Sequence, residues 1–75
     1  MNMKDKIKEI VSEILDVEVE NIADDALILD DLGADSIAVM EIVMELEGEY
    51  DVEVPTEDIL NLKTVNEIVA YIEAK

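Results

Sequence analysis

The sequence predicts an all-α protein: a small four-helix bundle, with three main helices, one short helix and a long first loop. Three observations support this. Apolar residues recur at three- and four-residue steps in separate stretches of the chain. Helix-starting residues stand just ahead of these stretches. No strand pattern competes, because Val52-Glu53-Val54 alternates only briefly before Pro55 stops it.

The first helix is predicted from about residue 3 to 15, where Met3, Ile7, Ile10, Val11, Ile14 and Leu15 form one stripe and Asn2 can cap the start. The second runs from about Ser36 to Tyr50, with Ile37, Met40, Val43, Leu46 and Tyr50 assigned to the inner side. The third is short, about Thr56 to Asn61. Thr56 can cap it, and Glu57 and Asp58 suit its positive N-terminal end. The fourth spans about Val65 to Glu73, with Val65, Ile68, Val69 and Ile72 facing inward and Thr64-Val65-Asn66-Glu67 forming a capping box.

Residues 16–35 connect the first two helices and hold Val17, Val19, Ile22, Leu27, Ile28, Leu29 and Leu32. So many aliphatics predict a loop packed onto the bundle, with a single helical turn around residues 20–23. Structureless loops longer than about 12–15 residues are uncommon in compact domains and often functional.

With 75 residues and no repeat or linker, the chain reads as one domain, residues 1–75. A domain this small buries only about 60% of the surface its unfolded chain exposes. Its core is aliphatic, since Tyr50 and Tyr71 are the only aromatics. The absence of cysteine excludes disulfides and thiolate chemistry by the chain itself. The absence of histidine removes the commonest general base and any His-held metal. No apolar run approaches a membrane span, and Met1-Asn2-Met3-Lys4 lacks the apolar stretch of a signal peptide, so a cytoplasmic protein is expected.

The net charge of −16 points further. A surface so acidic repels nucleic acid and anionic membranes, and attracts basic protein patches and divalent cations. Solubility alone is the plainer explanation, but self-repulsion on this scale costs stability. Residues 1–15 are neutral overall, whereas residues 16–35 carry eight acids and no base. The strongest negative field therefore surrounds the stretch leading to Ser36.

That stretch ends Asp31-Leu32-Gly33-Ala34-Asp35-Ser36-Ile37. Gly33 supplies freedom for a tight turn, and Asp35 or Ser36 starts the second helix. A phosphate ester on Ser36 would lie near the positive end of the helix dipole, opposed by the adjacent carboxylate unless a cation bridges them. The simpler reading of Ser36 is an N-cap. It is not a hydrolase nucleophile, for no histidine activates it and no Gly-x-Ser-x-Gly elbow surrounds it. Nor is the loop an EF-hand: Asp24-Asp25-Ala26-Leu27-Ile28 puts apolar residues where oxygen ligands are needed.

Asp31-Leu32-Gly33-Ala34-Asp35-Ser36-Ile37, followed by Glu41-Ile42-Val43-Met44-Glu45-Leu46-Glu47, resembles the acyl carrier protein family. The resemblance extends over the whole chain, through Tyr50-Asp51-Val52-Glu53-Val54-Pro55 and the Thr64-Val65-Asn66-Glu67 helix start. It implies a carrier and not an enzyme, with a 4′-phosphopantetheine arm from coenzyme A attached to Ser36 by a phosphopantetheinyl transferase that uses Mg²⁺. Asp35 is then expected to help hold the metal and the transferase. The arm's thiol would carry acyl groups as thioesters, which explains how a cysteine-free chain takes part in thiol chemistry. The second helix would be the docking surface, with Asp35, Ile37, Glu41, Met44 and Glu47 meeting partner enzymes. Glu41, Met44 and Glu47 are spaced to share one face, though the same spacing suits two solvated acids and a core methionine. An acyl chain would fold into the bundle near Val43, Leu46, Ile59 and Leu62, residues that also serve as core.

The sequence departs from the family at Ile37, where leucine is commoner, and at Ala38 and Gly48, where fatty-acid carriers usually have acids. Fatty-acid synthesis is the leading role for the expected monomer. A specialised carrier for polyketide, lipid or aminoacyl (D-alanyl type) transfer is the alternative. An unmodified acidic interaction or structural subunit is the alternative of another class.

Overall fold

The computed structural model describes residues 2–75, and all the regular elements among them are helical. Helix α1 spans Met3–Leu15, α2 Ser36–Tyr50, α3 Thr56–Ile59 and α4 Val65–Glu73. A single 3₁₀ turn, Val19–Asn21, interrupts the long first loop, starting one residue before the predicted turn and ending two residues before its end. The three main helices have the predicted bounds. Helix α3 is shorter than predicted, because beyond Ile59 the chain continues in tight turns, with Asn61 N–H on Asp58 O (3.0 Å) and Leu62 N–H on Ile59 O (3.1 Å).

Local chemistry explains the starts. The Asn2 side chain accepts from the Asp5 N–H (2.9 Å), and Thr64 Oγ1 accepts from the Glu67 N–H (3.1 Å). Glu67 reaches back to the Lys63 N–H (3.2 Å), one residue earlier than the usual capping box. The prediction that Thr56 caps α3 does not hold. Pro55 occupies the cap position and offers no side-chain bond, so Thr56 is already inside the helix. Helices α1 and α2 end alike, on aspartates in the left-handed region, Asp16 (φ 57°) and Asp51 (φ 54°).

The core is built from Ile7, Ile10 and Val11 of α1, Ile42, Val43 and Leu46 of α2, Val65, Ile68 and Ile72 of α4, with Leu62 and the loop residues Ile22 and Ile28. The inner face of α2 differs from the prediction. Ile37 is 70% exposed and Met40 43% exposed, while Ile42 and the half-buried Val39 take the inward positions. Apolar residues cover most of the circumference of α2, so two stripes competed. The one chosen by packing carries the β-branched Val39, Ile42 and Val43. The loop also packs less completely than predicted: Val19, Leu27 and Leu29 remain exposed.

The loop is tied across the bundle. Ile28 N–H donates to Lys63 O (2.9 Å), and Asn66 N–H donates to Asp24 O (3.1 Å). Lys4 and Lys8, one helical turn apart on α1, both grip the Asp24 carboxylate, Lys4 at 3.0 Å. The Lys8 hydrogen bond, then that of Lys4, holds the Asp24 carboxyl below its ordinary range. Lys6 pairs with Glu49 at 3.3 Å, joining α1 to α2, and the hydrogen bond it donates to Glu49 raises the Lys6 pKa. The lysines that neutralise the first segment are thus spent on binding α1 to its neighbours.

Candidate functional site

Gly33 turns the chain at φ 74°, a backbone conformation open to glycine and strained for other residues. The turn is supported by Asp31 Oδ2, which accepts from the Leu27 N–H (2.9 Å), and by Ala34 N–H on Ile28 O (3.2 Å). It delivers Asp35 to the N-cap of α2. Asp35 Oδ1 accepts from the Ala38 N–H at 2.8 Å, and Asp35 O accepts from the Val39 N–H at 3.1 Å. The choice left open by the sequence is thereby decided: Asp35 is the cap and Ser36 the first helical residue. The Ser36 hydroxyl is not used for capping, and the residue is exposed.

Ser36 stands on the edge of a cleft of about 380 Å³. Such a volume lies at the small end of the range for ligand sites, about 300–1,000 Å³. One wall is loop residues Leu27, Ile28, Leu29 and Asp30. The second is Ser36, Val39 and Met40 of α2. The third is Thr56, Ile59 and Leu60 with Leu62 and Lys63 beyond. Ile59 and Leu62, both singled out from the sequence, line the cleft. Val43 and Leu46 do not; they lie one to two turns further along α2, in the closed core. The residues that sequence reasoning missed are Val39 and Met40, three and four positions after Ser36. Helical spacing from Ser36 was the signal that could have found them.

Outside the cleft, α2 presents an apolar and acidic ridge. Ile37 is 70% and Met44 65% exposed, and Glu41 between them is exposed. Glu47 departs from this group. It is half-buried, and its Oε2 accepts from the Val54 N–H (3.0 Å), pinning the connection that leads to Pro55. Among the described residues no group of three or more acids is close enough to hold a metal ion. No helix among them is long and apolar enough to cross a membrane.

The family model for the phosphopantetheine attachment site matches residues 5–72. The chain belongs to the acyl carrier protein family. It is 43% identical over 75 residues to the acyl carrier protein of Bdellovibrio bacteriovorus, an alignment covering 100% of this chain and 96% of that one. It is 45% identical over 74 residues to the acyl carrier protein of Buchnera aphidicola, covering 99% and 94%. The solved structure of the acyl carrier protein from Enterococcus faecalis is similar to it with a TM-score of 0.81 and 42% identity, covering 95% of this chain and 90% of that one.

Proposed function

We propose that Ser36 Oγ is the attachment point of a 4′-phosphopantetheine arm, and that the chain carries acyl groups as thioesters for fatty-acid synthesis. The observation that carries this reading is the position of Ser36: exposed, first in α2, beside its cap Asp35 and on the edge of the cleft. The residues fit the group. In the attachment step the serine oxygen would form a bond to the β-phosphorus of coenzyme A, the phosphoanhydride bond would break with adenosine 3′,5′-bisphosphate leaving, and the hydroxyl proton would pass to a base of the transferase. The chain has no histidine and needs none, because the transferase supplies the activation. Once bound, the arm supplies a thiol that forms thioesters with acyl groups.

Asp35 has two tasks in this reading. One carboxylate oxygen holds the α2 cap, and the carboxylate would help to hold the transferase's Mg²⁺. The positive N-terminal end of α2 would favour the charge of a phosphodiester on Ser36. The cleft shelters the acyl chain, at about 0.8 kcal/mol gained per methylene removed from water. Partner enzymes with basic, apolar-centred patches dock on Ile37, Glu41 and Met44, with charge steering the encounter. Glu47 contributes mainly by fixing the neighbouring connection.

Gly48 is exposed and leaves empty space where another carrier would present an acid, which favours a second reading as a specialised carrier for polyketide, lipid or aminoacyl transfer. Loading and elongation with purified fatty-acid synthesis enzymes separate the two. Elongation at rates comparable with a fatty-acid carrier supports the first reading, and loading without elongation supports the second. Incubation with coenzyme A, Mg²⁺ and a broad-specificity transferase tests the shared part. A mass gain lost in Ser36→Ala is the outcome predicted.

A further inference from the structure

Helix α3 walls the cleft but is weakly held. It spans only Thr56–Ile59, starts on Pro55 without a side-chain cap, and contains no buried residue. Ile59 is half-buried, and the adjoining Leu60 is 75% exposed. Burial thus gives this wall little anchorage. One polar contact ties it down: the Tyr71 hydroxyl on α4 donates to Asp58 Oδ2 on α3 at 2.6 Å, in a partly buried setting. Among the described residues it is the one side-chain hydrogen bond from α3 to another element. The Lys75 ammonium lies over the Tyr71 ring, 4.7 Å from its centre.

We infer that Tyr71 and Asp58 are positioning residues for the acyl cargo, holding α3 against the cleft so that a bound chain keeps its thioester away from solvent nucleophiles. The inference rests on the carrier reading above. Neither residue lines the cleft, so their effect passes through Ile59 and Leu60. A short O–H···O⁻ bond is among the stronger kinds, and its loss moves the local opening of α3 toward the open state. A chain long enough to reach Ile59 feels this, whereas an acetyl group, too short to span the cleft, does not.

The test uses the full chain carrying the arm, loaded with either an octanoyl or an acetyl thioester and exposed to hydroxylamine. Hydroxylamine nitrogen attacks the thioester carbonyl, the C–S bond breaks, and an acyl hydroxamate and the free thiol result. Tyr71→Phe and Asp58→Ala are expected to speed loss of the octanoyl thioester by about tenfold or more, the worth of one hydrogen bond to a charged group. Loss of the acetyl thioester should be unchanged, and Asp58→Asn, which keeps an acceptor oxygen without the charge, should lose the octanoyl group more slowly than Asp58→Ala. Equal acceleration of both acyl groups means general loosening and overturns the inference. So does an unchanged octanoyl rate in both variants that break the bond. Failure of the wild-type chain to accept the arm at Ser36 overturns the carrier reading, and this inference with it. If Tyr71→Phe fails to fold, as judged by helical circular dichroism, the Asp58 pair decides the matter alone.

Discussion

The same substitution, glycine to alanine, should have opposite effects at the two glycines. At Gly48 an added Cβ meets nothing within 4 Å, and the residue lies inside α2. Alanine there loses less backbone freedom on folding, which stabilises a helix interior by about 0.5–1 kcal/mol. At Gly33 an added Cβ also meets nothing within 4 Å, but φ is +74°. An L-residue held there costs about 1–2 kcal/mol, offset by about 0.4–1 kcal/mol from the stiffer unfolded chain. At mid-range the net loss is about 0.8 kcal/mol. Unfolding entropy for a chain of this length is about 0.16 kcal/mol/K, so each effect corresponds to roughly 3–6 °C in Tm. Thermal unfolding followed by the helical circular dichroism signal should show Gly48→Ala melting higher than the parent and Gly33→Ala lower. Urea titration should confirm this without a change in m. Since contacts are equal at the two sites, a shift of the same sign in both variants would refute the reasoning from backbone conformation. Gly33→Ala should also slow arm attachment, because this turn delivers Asp35 and Ser36 to the start of α2.

Three further outcomes follow from the geometry. Asp35→Ala should lose about 1 kcal/mol of stability with the cap, whereas Asp35→Asn keeps a capping oxygen and the stability; slow modification of both, measured by mass over time, would place the carboxylate itself in the transferase step. Asp24 has a folded pKa held below its ordinary 3.8 by Lys8 and Lys4, so its contribution is present above that value and disappears as pH falls through the lowered one. Urea unfolding should therefore show the wild type ahead of Asp24→Asn near neutral pH, with the gap closing under strong acid; a gap that widens on acidification contradicts this account of Asp24. Ile7 is fully buried, and Ile7→Val should cost about 0.5–1.5 kcal/mol in the same measurement, with no change in arm attachment.

Much of this was legible in the chain, for physical reasons that differ by element. Helices α1 and α4 each carry one apolar stripe against a polar face, and a capping residue marks each start, so their bounds and inner faces were readable. In α2 the bounds were readable but the inner face was not. With Ile37, Val39, Met40, Ile42, Val43 and Met44 spread around the helix, only packing against α1 and the loop selects which side is buried. The same ambiguity bears on the cleft, which Val39 and Met40 line and which Val43 and Leu46, the residues expected near an acyl chain, do not. Helix α3 was overextended because its turns loosen after Ile59 without any breaking residue. Ser36 itself was easy to locate and hard to interpret, since a serine after an aspartate at a helix start is usually just a cap. The geometry gives the cap to Asp35 and leaves Ser36 free. The aspartates that close α1 and α2 in the left-handed region left no sequence signal beyond the tolerance of aspartate for that conformation. The engagement of Glu47 with the Val54 N–H depends on a seven-residue return of the chain that helical spacing does not encode.

The central claim is that Ser36 bears the arm. Its most direct measurement is the intact mass of the chain before and after incubation with coenzyme A, Mg²⁺ and a broad-specificity phosphopantetheinyl transferase, followed by fragmentation to locate the change. The account predicts a gain of one phosphopantetheine, placed at Ser36 and absent in Ser36→Ala. A chain that stays unmodified while a known carrier in the same reaction is converted, or a gain that persists in Ser36→Ala, would contradict it.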